Sequence, residues 1–82
     1  MLKETTLQDV LPKLGLSFYK REGRHDRYLC PFCGDRKGHL YINRETGLWC
    51  CFLCSAAGNP LTLYAQYFNI SNKQAYREIH GR

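Results

Sequence analysis

The sequence predicts an α+β domain: a small antiparallel β-sheet, preceded by a short N-terminal helix and followed by two C-terminal helices. Three observations predict it. Strand-forming runs flank a turn glycine in the middle of the chain, and apolar residues recur at helical spacing near both ends. The length of 82 residues then leaves room for one core, so residues 1–82 read as a single domain.

Thr6-Leu-Gln-Asp9 is a capping-box pattern with Asp in place of the usual Glu. Leu7, Val10, Leu11 and Leu14 follow at i, i+3, i+4 and i+7, the stripe of an amphipathic helix. Pro12 lies inside that stripe and removes a helix hydrogen bond, so the helix is short or broken and ends by Gly15. Residues 16–29 are polar, with Gly23 as a turn, and form a loose hairpin leading into Tyr28-Leu29. His39 to Asn43 and Leu48 to Phe52 are rich in strand formers, and the connection Arg44-Glu-Thr-Gly47 makes them a hairpin. Alternation of side chains is expected to place Leu40, Ile42, Leu48 and Cys50 on one face, with Tyr41, Asn43, Trp49 and Cys51 on the other. Asn59-Pro60 starts a helix with Asn as N-cap and Pro at the first position, its stripe being Leu61, Tyr64, Ala65 and Phe68. Ser71-Asn-Lys-Gln74 starts the last helix, with Ala75 and Ile79 inward and Gly81 as the stop.

A chain this short hides only about 60% of the surface its unfolded form exposes, so it needs a staple. Five cysteines point to one. Their number is odd, no apolar signal segment leads the chain, and the longest apolar run, Leu48 to Cys54, is seven residues. A secreted disulfide scaffold and a membrane anchor are therefore not expected, and the chain reads as cytoplasmic with reduced thiols.

Cys30-Pro-Phe-Cys33 and Cys51-Phe-Leu-Cys54 are two C-x₂-C knuckles separated by seventeen residues, a spacing that reads as a zinc site. Each knuckle presents two thiolates from one tight loop, and two knuckles complete a tetrahedron. Metal binding of this kind also supplies folding free energy, on the order of 10–16 kcal/mol in finger peptides. The assignment is one structural Zn²⁺ on Cys30, Cys33, Cys51 and Cys54, making the domain a zinc ribbon. Disulfides, inert buried thiols and a redox dithiol are the competing readings. An iron centre of rubredoxin type fits less well, because Gly34 follows the first knuckle but Ser55 follows the second. Strand parity sends Cys50 and Cys51 to opposite faces, and the symmetric x₂ spacing selects Cys51, leaving Cys50 as a small core residue. Four filled positions leave no place for a reactive water, so zinc hydrolysis is not expected.

The net charge is +5 and is unevenly placed: residues 20–47 hold seven Lys/Arg against four Asp/Glu. That basic segment suits a polyanion such as nucleic acid, and equally a solvated surface.

Tyr28-Leu-Cys-Pro-Phe-Cys33, Trp49-Cys-Cys-Phe-Leu-Cys54 and the following Gly58 together resemble the CHC2-type zinc-binding domain of bacterial and phage DNA primases. The resemblance runs over roughly residues 5–80. Arg36 falls at the family's lysine, Leu40 and Ile42 at its Phe and Val, and Gly58-Asn59 at its Gly-Asp. The family's second ligand is usually histidine; Cys33 stands there and keeps the site tetrahedral. The resemblance implies a module that binds single-stranded template DNA and assists primer initiation beside a primase polymerase domain or a helicase; the chain itself is expected to be a monomer. The polymerase's own carboxylate motif is absent, since no Asp-x-Asp occurs, so no catalysis is expected from this chain. The surface expected to meet DNA is Tyr41 and Trp49 as a stacking pair on one face, with Arg36, Lys37, His39 and Arg44 around it. Lys20, Arg21, Arg24 and Arg27 read as a solvated face, with DNA contact by this basic segment as the alternative. The alternative is a zinc-ribbon module that docks another protein of a replication or transcription assembly.

Overall fold

The computed structural model describes residues 4–81. The N-terminal stripe folds as a single turn of helix, α1 (Leu7–Val10), continued by a 3₁₀ turn (Leu11–Lys13) that takes Pro12 into its first positions. The backbone N–H of Thr6 donates to Asp9 Oδ2 at 2.9 Å, so Asp does serve as the third residue of the cap. Strands β1 (Phe18–Glu22), β2 (His25–Tyr28), β3 (Leu40–Asn43), β4 (Trp49–Cys51) and β5 (Ala57–Gly58) follow, then helices α2 (Pro60–Phe68) and α3 (Asn72–His80).

The strands form one antiparallel sheet in sequence order, β1-β2-β3-β4-β5. The segment expected as a loose hairpin is regularly paired, apart from a bulge at Tyr19 that shifts the register between Phe18 and Lys20. Strand β5 has only two residues, pairing Trp49 with Gly58 and Cys50 with Ala57. No periodicity is visible in so short a piece, and the sequence reading missed it.

The face assignment of β4 is corrected by the register. Ile42 pairs with Trp49, Tyr41 with Cys50 and Leu40 with Cys51. Directly opposed residues share a face, so Trp49 and Cys51 join Leu40 and Ile42 inside, while Cys50 and the exposed Leu48 stand with Tyr41 outside. Cys50 is therefore not a core residue.

The core lies between the inner sheet face and the helices. It is built from Val10, Leu14, Leu40, Ile42, Trp49, Leu63, Tyr64, Ala65 and Ala75, with Cys30 and Cys51 at its metal end. On α2 the fully buried position is Leu63, which the expected stripe omitted, whereas Phe68 is exposed. Trp49 is 3% exposed, donates from Nε1 to the carbonyl of Asn59 at 2.8 Å, and lies against Phe32 with ring centroids 5.6 Å apart. Its bond reaches the N-cap of α2, where Asn59 Oδ1 accepts from Thr62 N and Thr62 Oγ1 accepts from Asn59 N. Gly58 permits this junction: a Cβ there would overlap the Thr62 hydroxyl and press on the Trp49 ring. Ser71 caps α3 through Gln74 N, although the Gln74 side chain donates to Glu78, so the expected box is made on one side. Among the described residues no helix is long and apolar enough to cross a membrane.

Candidate metal centre and the open sheet face

The turn before β3 and the turn after β4 carry the two knuckles, and antiparallel pairing of those strands brings them together. The Sγ atoms of Cys30, Cys33, Cys51 and Cys54 all lie within 4.8 Å of one another. Cys30 and Cys54 are 3.9 Å apart, and Cys33 and Cys51 are 3.7 Å apart. Thiolates held about 2.3 Å from a tetrahedral zinc have edges of about 3.8 Å, so both spacings fit the ion. The five cysteines are free thiols, which removes the disulfide reading. Zinc bound there cross-links two turns from distant parts of the chain.

Backbone geometry prepares the sulfurs. Phe32 N donates to Cys30 Sγ at 3.4 Å, and Leu53 N and Cys54 N donate to Cys51 Sγ at 3.4 and 3.5 Å. Burial works to raise the Cys51 pKa, but the N–H groups of Cys54 and Leu53 outweigh it and bring it down to about 7. Burial pushes the Cys30 thiol far up, and a bound metal would favour its thiolate form. Both knuckles leave through a left-handed residue, Gly34 at φ 67° and Ser55 at φ 67°. The missing second glycine noted in the sequence is thus a serine held in glycine's conformation.

Asp35 organises the first knuckle and was not foreseen. Its residue is 6% exposed. Oδ2 accepts from Cys30 N at 3.1 Å and His39 N at 2.6 Å; Oδ1 accepts from Lys37 N at 2.9 Å and pairs with His39 Nδ1 at 2.6 Å. Burial opposes the charge, yet these donors hold the carboxyl far below the usual range. The sequence signal was an acid two residues beyond a knuckle, easily taken for a solvated charge.

The residues expected to meet DNA separate into two groups. Trp49 is enclosed in the core and cannot form a platform with Tyr41. Arg44 follows β3 on the inner side, where it bonds Asp26 Oδ1 at 2.9 Å and the Gly23 carbonyl at 2.7 Å. Burial works to raise the Asp26 pKa, but Arg21 and Arg44 together hold it below the ordinary value. His39 is tied to Asp35. Tyr41 stays on the open side, and Arg36 and Lys37 are exposed on the loop after the first knuckle.

That open face has members the sequence reading did not assign. Arg27 opposes Tyr41 across β2 and β3, and Tyr19 reaches over it from the bulge. The Arg27 guanidinium lies 5.0 Å from the Tyr19 ring centroid and 4.9 Å from that of Tyr41. Phe52, exposed at the second knuckle, meets Tyr41 edge-on at 4.8 Å, and His25 meets it from the other side at 6.0 Å. The Tyr19 ring packs on Gly38, placing the Arg36–Lys37 loop at the border of this face. Of the basic side chains in residues 20–47, those of Arg36 and Lys37 have no acidic partner among the described residues. Lys20, Arg21, Arg24, Arg27 and Arg44 are all paired.

Two knuckles closing one four-thiolate centre at the end of an antiparallel sheet define a zinc ribbon. Comparison with known proteins narrows the class. The profile of the CHC2 zinc finger family matches residues 1–82, and the chain belongs to that family. It is 31% identical over 65 residues to the DNA primase of Buchnera aphidicola, covering 76% of this chain and 11% of the relative. The corresponding figures for the Geobacillus stearothermophilus DNA primase are 30% over 63 residues, 77% and 11%. It also resembles the crystal structure of the zinc-binding and RNA polymerase domains of the Aquifex aeolicus primase, with a TM-score of 0.77 and 27% identity. That match covers 93% of this chain and 18% of the other. The chain thus spans about a tenth of the length of the curated relatives it matches.

Proposed function

We propose that the chain, acting in the cytoplasm as one module over its whole length, binds single-stranded DNA for a primase-type protein and assists primer initiation without catalysis of its own. The observation that carries this reading is the open sheet face: Tyr19, Tyr41 and Phe52 supply rings, and the loop that bears the exposed Arg36 and Lys37 is tied to its border through the Lys37 and Gly38 backbone. Rings that stack on bases and cations that hold phosphates are the two elements of single-strand recognition. The primase relatives and the shared fold support the same reading. The metal centre supplies structure, because four thiolates fill a tetrahedral zinc and leave no place for substrate. The remaining parts of primer synthesis would come from a partner polymerase domain.

A second reading has one observation behind it. Phe52 and Leu53 project from the second knuckle 69% and 56% exposed, an apolar tip that suits docking on a protein partner. Fluorescence anisotropy of labelled oligonucleotides separates the two. The DNA reading expects single strands to bind more tightly than a duplex, whose base faces are covered, and Tyr41→Ala to weaken binding. Equal affinity of the folded Tyr41→Ala and parent proteins would transfer the function to the docking tip.

A further inference from the structure

Arg27 lies at the centre of the open face, yet its contacts are all internal. Its partners are the Tyr19 and Tyr41 rings, with centroids 5.0 and 4.9 Å away, Glu22 Oε1 at 3.5 Å from Nη1, and two carbonyls of the first-knuckle loop. Nε donates to Gly38 O at 2.9 Å and Nη2 to Lys37 O at 3.1 Å. The guanidinium thereby links three parts of the chain, the bulged edge strand, the middle of the sheet and the loop that bears Arg36 and Lys37. A planar cation with several donors can lie over two rings and reach two carbonyls and a carboxylate together, as an ammonium cannot. Its charge is offset by Glu22, and its side chain is 15% exposed, so little of it is available to a phosphate.

We propose that Arg27 is a positioning residue of the single-strand site: it fixes Tyr41 and the Arg36–Lys37 loop in relation to one another and makes no phosphate contact itself. The proposal rests on the single-strand reading above. It implies a site whose centre takes bases and whose margin takes about two phosphates. Single-strand affinity then falls with salt at a logarithmic slope of about −1.4, from roughly −0.7 per neutralised phosphate.

The test compares the zinc-loaded parent with Arg27→Lys, Arg27→Ala, Lys37→Ala and Tyr41→Ala, each checked for metal content. Affinity for a labelled oligothymidine is measured at several salt concentrations, and the Tyr41 ring protons are followed by NMR in the free proteins. Arg27→Lys and Arg27→Ala are both expected to weaken binding about tenfold while keeping the parent's slope, and both to shift the Tyr41 ring resonances. Lys37→Ala is expected to reduce the slope by about 0.7. Full affinity in Arg27→Lys, with a slope reduced in Arg27→Ala, would make Arg27 a phosphate contact and overturn the proposal. Unmoved Tyr41 resonances in both Arg27 variants would overturn it as well, even where Arg27→Ala is too unstable to titrate. If Tyr41→Ala alone leaves binding intact, the single-strand reading has failed, and the ring resonances still decide whether Arg27 positions Tyr41.

Discussion

Replacing Asp35 with asparagine exchanges one of its two acceptor oxygens for an amide that can only donate. Each oxygen now takes two donors, Cys30 N and His39 N on one and Lys37 N and the His39 ring on the other. Whichever way the asparagine turns, its NH₂ confronts a pair of groups that were donating there. Facing Cys30 N and His39 N it loses two hydrogen bonds to a charged acceptor, at about 1.5–3 kcal/mol each. Facing Lys37 N and the His39 ring it loses one, because the imidazole can change tautomer and accept from the amide. The total of about 1.5–6 kcal/mol compares with about 4–12 kcal/mol for the whole stability of a domain of this length. Because one of the bonds fixes the backbone of Cys30, part of that loss reaches the metal. Zinc affinity is expected to fall 10–100-fold, the usual consequence of removing a partner from behind a ligand. Competition for zinc against a chelator of known affinity measures this at neutral pH. An Asp35→Asn protein holding zinc within about threefold of the parent would refute the reasoning, and the Asp35 bonds would not reach the metal.

Other predictions follow from the same contacts. Trp49→Phe loses the bond to the Asn59 carbonyl at the start of α2 and part of the core volume, and should destabilise by about 1–3 kcal/mol in denaturant titration while keeping its zinc. Gly58→Ala forces a Cβ against the Thr62 hydroxyl and should cost about 1–3 kcal/mol by the same measurement. Ser55→Gly relieves a left-handed serine. Strain of about 1–2 kcal/mol less glycine's entropy cost of about 0.5–1 leaves a gain of up to about 1.5 kcal/mol, seen as a raised Tm. Chelation of the metal should abolish the tertiary near-ultraviolet circular dichroism of the domain, and added zinc should restore it.

The parts legible in the sequence were those set by short-range chemistry. The two C-x₂-C turns, the Asn59-Pro60 start of α2 and the Gly23 and Gly47 turns are each decided within a few residues, and all are found in the fold. The facing of β4 was misread because alternation fixes sides within one strand and says nothing about its neighbour. The loop 44–47 closes on an Asn43–Leu48 pair, with Gly47 N donating to Asn43 O. A four-residue loop makes the numbers of opposed residues sum to an odd value, so even positions of β3 share a face with odd positions of β4. Trp49 and Cys51 therefore turn inward and Cys50 outward. The Tyr19–Arg27–Tyr41 stack was illegible for a different reason. It depends on a bulge in β1 and on the first-knuckle loop folding back over Gly38, contacts made across the sheet and not along the chain.

Thiol protection, read residue by residue, tests the central claim that four cysteines hold one metal and the fifth stays outside. The zinc-loaded protein is exposed to an alkylating reagent, and its adducts are located by mass spectrometry before and after chelation. Cys50 lies half-buried on the open face beside Tyr41, outside the thiol cluster. The account predicts one zinc per chain and an adduct on Cys50 alone, with Cys30, Cys33, Cys51 and Cys54 reacting only once the metal is removed. Labelling of any of those four while the zinc is retained, or protection of Cys50 in place of Cys51, would contradict it.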